Sequence, residues 1–145
     1  MKPRIHVITL AVADLERALA FYKDGLGLES GRILGAELAG DETNAAGAVA
    51  MFVLERGLML CLYPRSELAK DANVPVGPAR AGEFSIGHAV GSREEVDALL
   101  ASAKAAGATV TEKPRERPWG IYSGYFQDPD GHLWEVIWNP ALKDI

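Results

Sequence analysis

Residues 12–27 read V-A-D-L-E-R-A-L-A-F-Y-K-D-G-L-G, and the spacing within them dictates the elements on either side. Asp14 stands where a helix begins, because its short side chain can accept from the backbone N–H groups that a first helical turn leaves unpaired. Leu15, Ala18, Leu19 and Tyr22 recur at i, i+3, i+4 and i+7, one apolar stripe along a helix. Gly25 and Gly27 end it. Upstream, residues 5–12 form an almost unbroken apolar, β-branched run, which suits a strand covered on both faces. Downstream, residues 28–38, 48–55 and 58–63 read as strands, the last two joined by the tight-hairpin signal Arg56-Gly57. The order is β-α-β-β-β.

The order then restarts. Residues 84–90 are an apolar strand, Ser92-Arg93-Glu94-Glu95 is a capping box, and Val96, Leu99, Leu100 and Ala103 supply a helical stripe that stops at Gly107. Residues 108–112, 122–127 and 132–138 follow as strands, with Asp130-Gly131 turning the last pair. Residues 65–82, proline-bearing and holding one short helix after Ser66, connect the halves. A repeated element order is the mark of a duplication. The expected fold is α+β: a single domain over residues 1–145 in which two βαβββ modules, 4–64 and 83–140, form a curved mixed sheet. Helices pack on the convex face and the concave face offers a ligand pocket.

Composition narrows the function. The chain of 145 residues is 48% hydrophobic and 24% charged, with a net charge of -5, which argues for a folded domain. Without a Lys/Arg stripe there is no footprint for nucleic acid. No apolar run approaches the roughly 20 residues of a membrane helix. The first residues lack a cleavage site and read as a strand, not a signal. With Cys61 as the single cysteine no internal disulfide can form, and a cytoplasmic location is expected.

The stretch 12–27, taken with G-Y-F-Q-D-P-D-G-H-L-W-E-V at 124–136, resembles the vicinal oxygen chelate superfamily of glyoxalase I, bleomycin resistance proteins, fosfomycin resistance enzymes and extradiol dioxygenases. The resemblance implies a homodimer that binds a small organic molecule. It also implies four metal-ligand positions of His or Glu, which fall on Val7, Cys61, Ser85 and Glu135. A divalent ion needs several N or O ligands, and Val7 offers none. The expected protein is therefore a small-molecule binder of the glyoxalase and bleomycin resistance type without the full metal site and with no assigned cofactor. The alternative is a metal-dependent lyase, isomerase or dioxygenase that recruits His6, His88 and Glu135, which a one-residue register slip would require.

Glu135 is the candidate catalytic residue, because a carboxylate between Trp134 and Val136 is costly unless paired or used. Its alternative is a structural ion pair at the sheet edge. The ligand-binding candidates are Val7, Thr9, Cys61, Ser85, Trp119, Tyr122 and Glu135. Trp119 and Tyr122, in P-R-E-R-P-W-G-I-Y, either wall the pocket or cap the end of the sheet. Cys61 reads most simply as a core residue. His6 and His88 are expected beneath the helices. Strand parity sets Trp134 and Trp138 opposite Glu135. Residues 128–131 form a turn, since the later ligands of a calcium loop are missing.

Overall fold

The computed structural model describes residues 2–80 and 82–141, with the side chain of Trp119 outside the description. The chain divides into two compact units, Met1–Pro78 and Ala79–Ile145.

In the first unit, strand β1 (Val7–Val12) leads to helix α1 (Leu15–Ala20), which widens into a π turn over Phe21–Gly25. Strands β2 (Arg32–Leu34), β3 (Val49–Val53) and β4 (Met59–Pro64) and helix α2 (Arg65–Asp71) complete it. The sheet order is β1-β4-β3-β2. Strand β1 runs parallel to β4, and the other pairs are antiparallel. Asp14 Oδ1 accepts from the backbone N of Arg17 at 2.9 Å, the cap its position predicts. The end of the helix differs from expectation. Leu26 N bonds Phe21 O at 3.0 Å, an i+5 closure that turns adjacent Phe21 and Tyr22 inward together. Both are buried, with rings 5.0 Å apart and edge-on. Leu10, Val12, Ala50, Phe52, Leu60 and Leu62 alternate onto the same buried face.

Two expectations for this unit are corrected. Strand β1 is covered on one face only: Leu10 and Val12 are buried, whereas Val7 is 41% exposed and Thr9 is exposed. The second strand shrinks from residues 28–38 to Arg32–Leu34. Gly31 lies so close to the Phe52 ring that a Cβ would collide with it, and Gly35 takes φ 69°, a conformation that favours glycine and turns the chain out of the sheet. The loop that follows is tied down. Asp41 Oδ1 accepts from the N atoms of Thr43 and Asn44, each at 2.7 Å, and its bonds to Asn44 and Thr43 hold the Asp41 carboxyl well below the usual range. Ala46 donates its N–H to Glu67 of α2 at 2.8 Å and accepts from the Tyr63 hydroxyl at 2.6 Å.

The second unit repeats the plan with β5 (Ile86–Ala89), α3 (Arg93–Ala105), β6 (Thr109–Glu116), β7 (Tyr122–Gln127) and β8 (Leu133–Trp138). Its order, β5-β8-β7-β6, matches the first. The single curved sheet of the sequence reading is thus described as two four-stranded mixed sheets, one in each unit. Ser92 Oγ accepts from Glu95 N at 3.2 Å, while the Glu95 carboxylate reaches Gly91 N, one residue further back than the usual capping box. Strand β6 runs on to Glu116, past the expected end at residue 112, because register shifts between Val110 and Glu112 and between Glu112 and Arg115 accommodate Pro114 on this edge strand. Val96, Leu100 and Ala103 of α3 are buried, as are Phe126 and Val136 of the sheet. The β7–β8 turn is closed by Asp128 Oδ1, which accepts from the N atoms of Asp130 at 3.0 Å and His132 at 2.8 Å, with Gly131 at φ 90°.

The two ladders correspond rung for rung. Cys61 of β4 stands between Thr9 and Met51. Glu135 of β8 stands between Gly87 and Tyr125.

Candidate functional site

Alternation along β7 and β8 decides which side chains share a face with Glu135. The turn at Asp130-Gly131 sets Tyr125 opposite Glu135, and Ser123, two residues back, falls on the same side. Ser123 is fully buried. Its hydroxyl donates to Glu135 Oε1 at 2.8 Å and accepts from Arg117 Nε at 3.3 Å. Burial first, then the Glu135 carboxylate beside it, push the Tyr125 phenol above its ordinary value, against the opposing pull of Arg117. The Arg117 guanidinium lies over the Tyr125 ring, 5.6 Å from its centroid.

Arg117 is delivered by the turn after β6. Its backbone N–H donates to Ile121 O at 2.7 Å, and a single 3₁₀ turn over Pro118–Gly120 closes the segment, with Gly120 at φ 73°. Arg117 Nη2 is buried and has no hydrogen-bond partner among the described residues. On the other flank of Glu135, a Cβ on Gly87 would meet only Ile137 Cδ1, at 3.4 Å, so this side of the carboxylate is open. The face thus holds a carboxylate bonded by the Ser123 hydroxyl, a cation with a spare donor, an aromatic ring and free space. Such a half-buried carboxylate is tolerable because its charge is hydrogen-bonded and electrostatically compensated.

Val7, Thr9 and Cys61 share a face of the first unit's sheet, with Thr9 and Cys61 on one rung. Cys61 is 6% exposed; burial pushes its thiol up, partly offset by a hydrogen bond with Thr9. Ser85 is exposed just before β5, on the side that alternation gives Gly87. Tyr122 is placed on the α3 side of its sheet, away from Glu135: its hydroxyl donates to Asp97 Oδ1 at 3.0 Å. Arg93 sits 5.3 Å from the Tyr122 ring and 4.9 Å from that of Trp138, and ion-pairs with Glu116. Trp134 stacks on Phe126 at 6.1 Å, so both tryptophans are opposite Glu135 as parity predicts. His6 and His88 are exposed rather than covered by helices. His88 shares a rung with Val136, which puts it on the other face from Glu135.

The profile of the Glyoxalase/Bleomycin resistance protein/Dioxygenase superfamily matches residues 4–136. The chain belongs to this superfamily. Solved structures of glyoxalase-superfamily type share its fold. A glyoxalase-related enzyme from Fulvimarina pelagi is 29% identical, with a TM-score of 0.76 over 95% of this chain and 89% of that one. A lactoylglutathione lyase from Agrobacterium tumefaciens is 24% identical, with a TM-score of 0.62 over 95% of each chain. A genomically encoded fosfomycin resistance protein from Listeria monocytogenes is 24% identical, with a TM-score of 0.66 over 97% of each. No curated protein sequence matches significantly. Among the described residues, no helix is long and apolar enough to cross a membrane.

The positions that the superfamily resemblance assigns to metal ligands hold an alkyl group, a buried thiol kept protonated, an exposed hydroxyl and one carboxylate already bonded by Ser123. This donor set does not fit a divalent ion. Among the described residues, no group of three or more His, Cys, Asp or Glu side chains is placed to hold one.

Arg117, Ser123 and Tyr125 are the residues that sequence reasoning missed. The signal was available for two of them: once Asp130-Gly131 is accepted as a hairpin, Tyr125 must face Glu135 and Ser123 must share its side. Arg117 carried no periodic signal, because it lies in a turn.

Proposed function

We propose that the protein is a small-molecule-binding member of its superfamily that works without the full family metal site, with the Glu135 face of the second sheet as its recognition surface. The observation that carries this reading is the hydrogen-bonded chain from Arg117 through Ser123 to Glu135. It fixes a carboxylate, a cation and an aromatic ring on one face while Gly87 leaves room beside them. A few convergent polar groups beside open space are what an organic ligand requires for orientation. Glu135 is the residue on which any turnover would depend, as a hydrogen-bond acceptor or proton acceptor whose geometry is already set. Ser85, on the same side just before β5, belongs to the proposed binding surface; the side chain of Trp119 lies outside the described residues. Val7, Thr9 and Cys61 are proposed as ligand-facing residues of the first unit's own sheet. Association of two copies is part of the proposal and is checked by analytical ultracentrifugation.

The test is elemental analysis of protein purified without chelators, together with mass spectrometry of whatever organic molecule is released on denaturation. The expected result is a substoichiometric metal content that Glu135→Ala leaves unchanged, and a released small molecule that Glu135→Ala diminishes. A stoichiometric divalent ion lost in Glu135→Ala would overturn the reading.

A further inference from the structure

We propose that Arg117 is the anchor for an oxyanion, so that the ligand of the Glu135 face is an organic carboxylate or phosphonate. The inference deepens the small-molecule reading above and rests on it. Arginine presents its N–H donors in a rigid planar fork suited to oxyanions. Here only part of the fork is used: Nε is taken by Ser123 Oγ at 3.3 Å, whereas Nη2 is buried without a partner among the described residues. A buried donor on a charged group is costly to leave unmade, which marks the place where an acceptor from outside the chain completes the arrangement.

The fork has not been spent on Glu135. Ser123 stands between the two charges, 2.8 Å from Glu135 Oε1 and 3.3 Å from Arg117 Nε, so the carboxylate is held by a hydroxyl and not by a direct guanidinium pair. Tyr125 serves both sides of this arrangement. Its phenol lies beside the Glu135 carboxylate, and its ring lies under the guanidinium, 5.6 Å from the centroid to the guanidinium carbon. The neighbouring Arg115 and Glu112 pair with each other at 3.6 Å. An oxyanion meets a charge-assisted donor in a partly buried setting, where such bonds are stronger than neutral ones.

The experiment compares benzoate and phenylphosphonate with benzamide, their neutral counterpart, by titration followed in amide NMR spectra. In the wild-type chain both anions bind more tightly than benzamide and shift the amides of Ser123 and Tyr125. Arg117→Met weakens the anions by roughly tenfold or more, as expected for loss of a hydrogen bond to a charged group, and weakens benzamide less, so that the anion preference is lost. Arg117→Lys retains part of the preference, and it carries the test if the methionine variant loses its dispersed spectrum. An anion preference that persists in Arg117→Met and Arg117→Lys would overturn the assignment while leaving the small-molecule reading in place, as would equal binding of benzamide and benzoate by the wild type. Absence of shifts at Ser123 and Tyr125 with all three probes would overturn both.

Discussion

Leu100 Cδ1 lies 2.6 Å from the point that a Cβ on Gly124 would occupy, and the backbone atoms Glu112 O and Pro114 N are each 3.0 Å from the same point. Helix α3 therefore packs on β7 at a distance only a glycine permits. Gly124→Ala is expected to destabilise the protein by about 1–3 kcal/mol, the usual range for overpacking. Gly87→Ala, whose Cβ meets only Ile137 Cδ1 at 3.4 Å, should fall within about 0.5 kcal/mol of wild type. Urea titrations of the two variants check the contrast.

Removal of the α3 cap should be felt at a smaller scale. Ser92→Ala loses the bond to Glu95 N and is expected to cost about 1 kcal/mol. Thermal denaturation of Ser92→Ala beside Ser92→Asp, which keeps an acceptor, separates the cap from the side-chain volume.

Arg93 touches two rings and one carboxylate, and the rings should matter more. Its partner Glu116 is 56% exposed in its side chain, so Glu116→Gln is expected to cost under about 1 kcal/mol and to lose even that at high salt. Arg93→Ala also strips the alkyl stem from Tyr122 and Trp138 and should cost more, with a residual effect in 1 M NaCl on the order of 1 kcal/mol. A double-mutant cycle with Trp138→Leu measures the coupling.

The alkaline limb of stability has a defined first step. Burial holds the Cys61 thiol above its ordinary value in the folded chain, so the native state retains a proton that the unfolded state releases. Stability is then fully present below about 8.5, the value of a free thiol, and declines as pH rises through the raised folded value. Cys61→Ala should delay the onset of that decline. The further loss above about 10, where Tyr63, Tyr122 and Tyr125 are raised in the same sense, should remain. Denaturant midpoints between pH 7 and 11 report both, and native Cys61 should alkylate far more slowly than the unfolded chain.

The repeated architecture was legible in the sequence because it is written in periodicities: the Asp14 cap, the Ser92 cap and the turn at residues 130–131 each fix an element by local chemistry. The failures have local causes too. The π turn at Phe21 was hidden because its i+5 closure has no residue signature, and residues 28–38 were read as a strand because the approach of Gly31 to Phe52 is a tertiary fact. At the site, Glu135 stood out as a charge in an apolar strand. Arg117 did not, because what brings it to Ser123 and Tyr125 is a short turn whose course no pattern encodes, and Tyr122 was grouped with the pocket residues although parity alone gives it the helix side.

Rung correspondence between the two sheets has an engineering consequence. Thr9, Cys61 and Met51 occupy in one copy the places that Gly87, Glu135 and Tyr125 occupy in the other. The backbone therefore already supplies a second seat for a carboxylate and a phenol. A transplant of the trio, Thr9→Gly, Met51→Tyr and Cys61→Glu, would ask how much of the chemistry belongs to the ladder and how much to the turn that brings in Arg117.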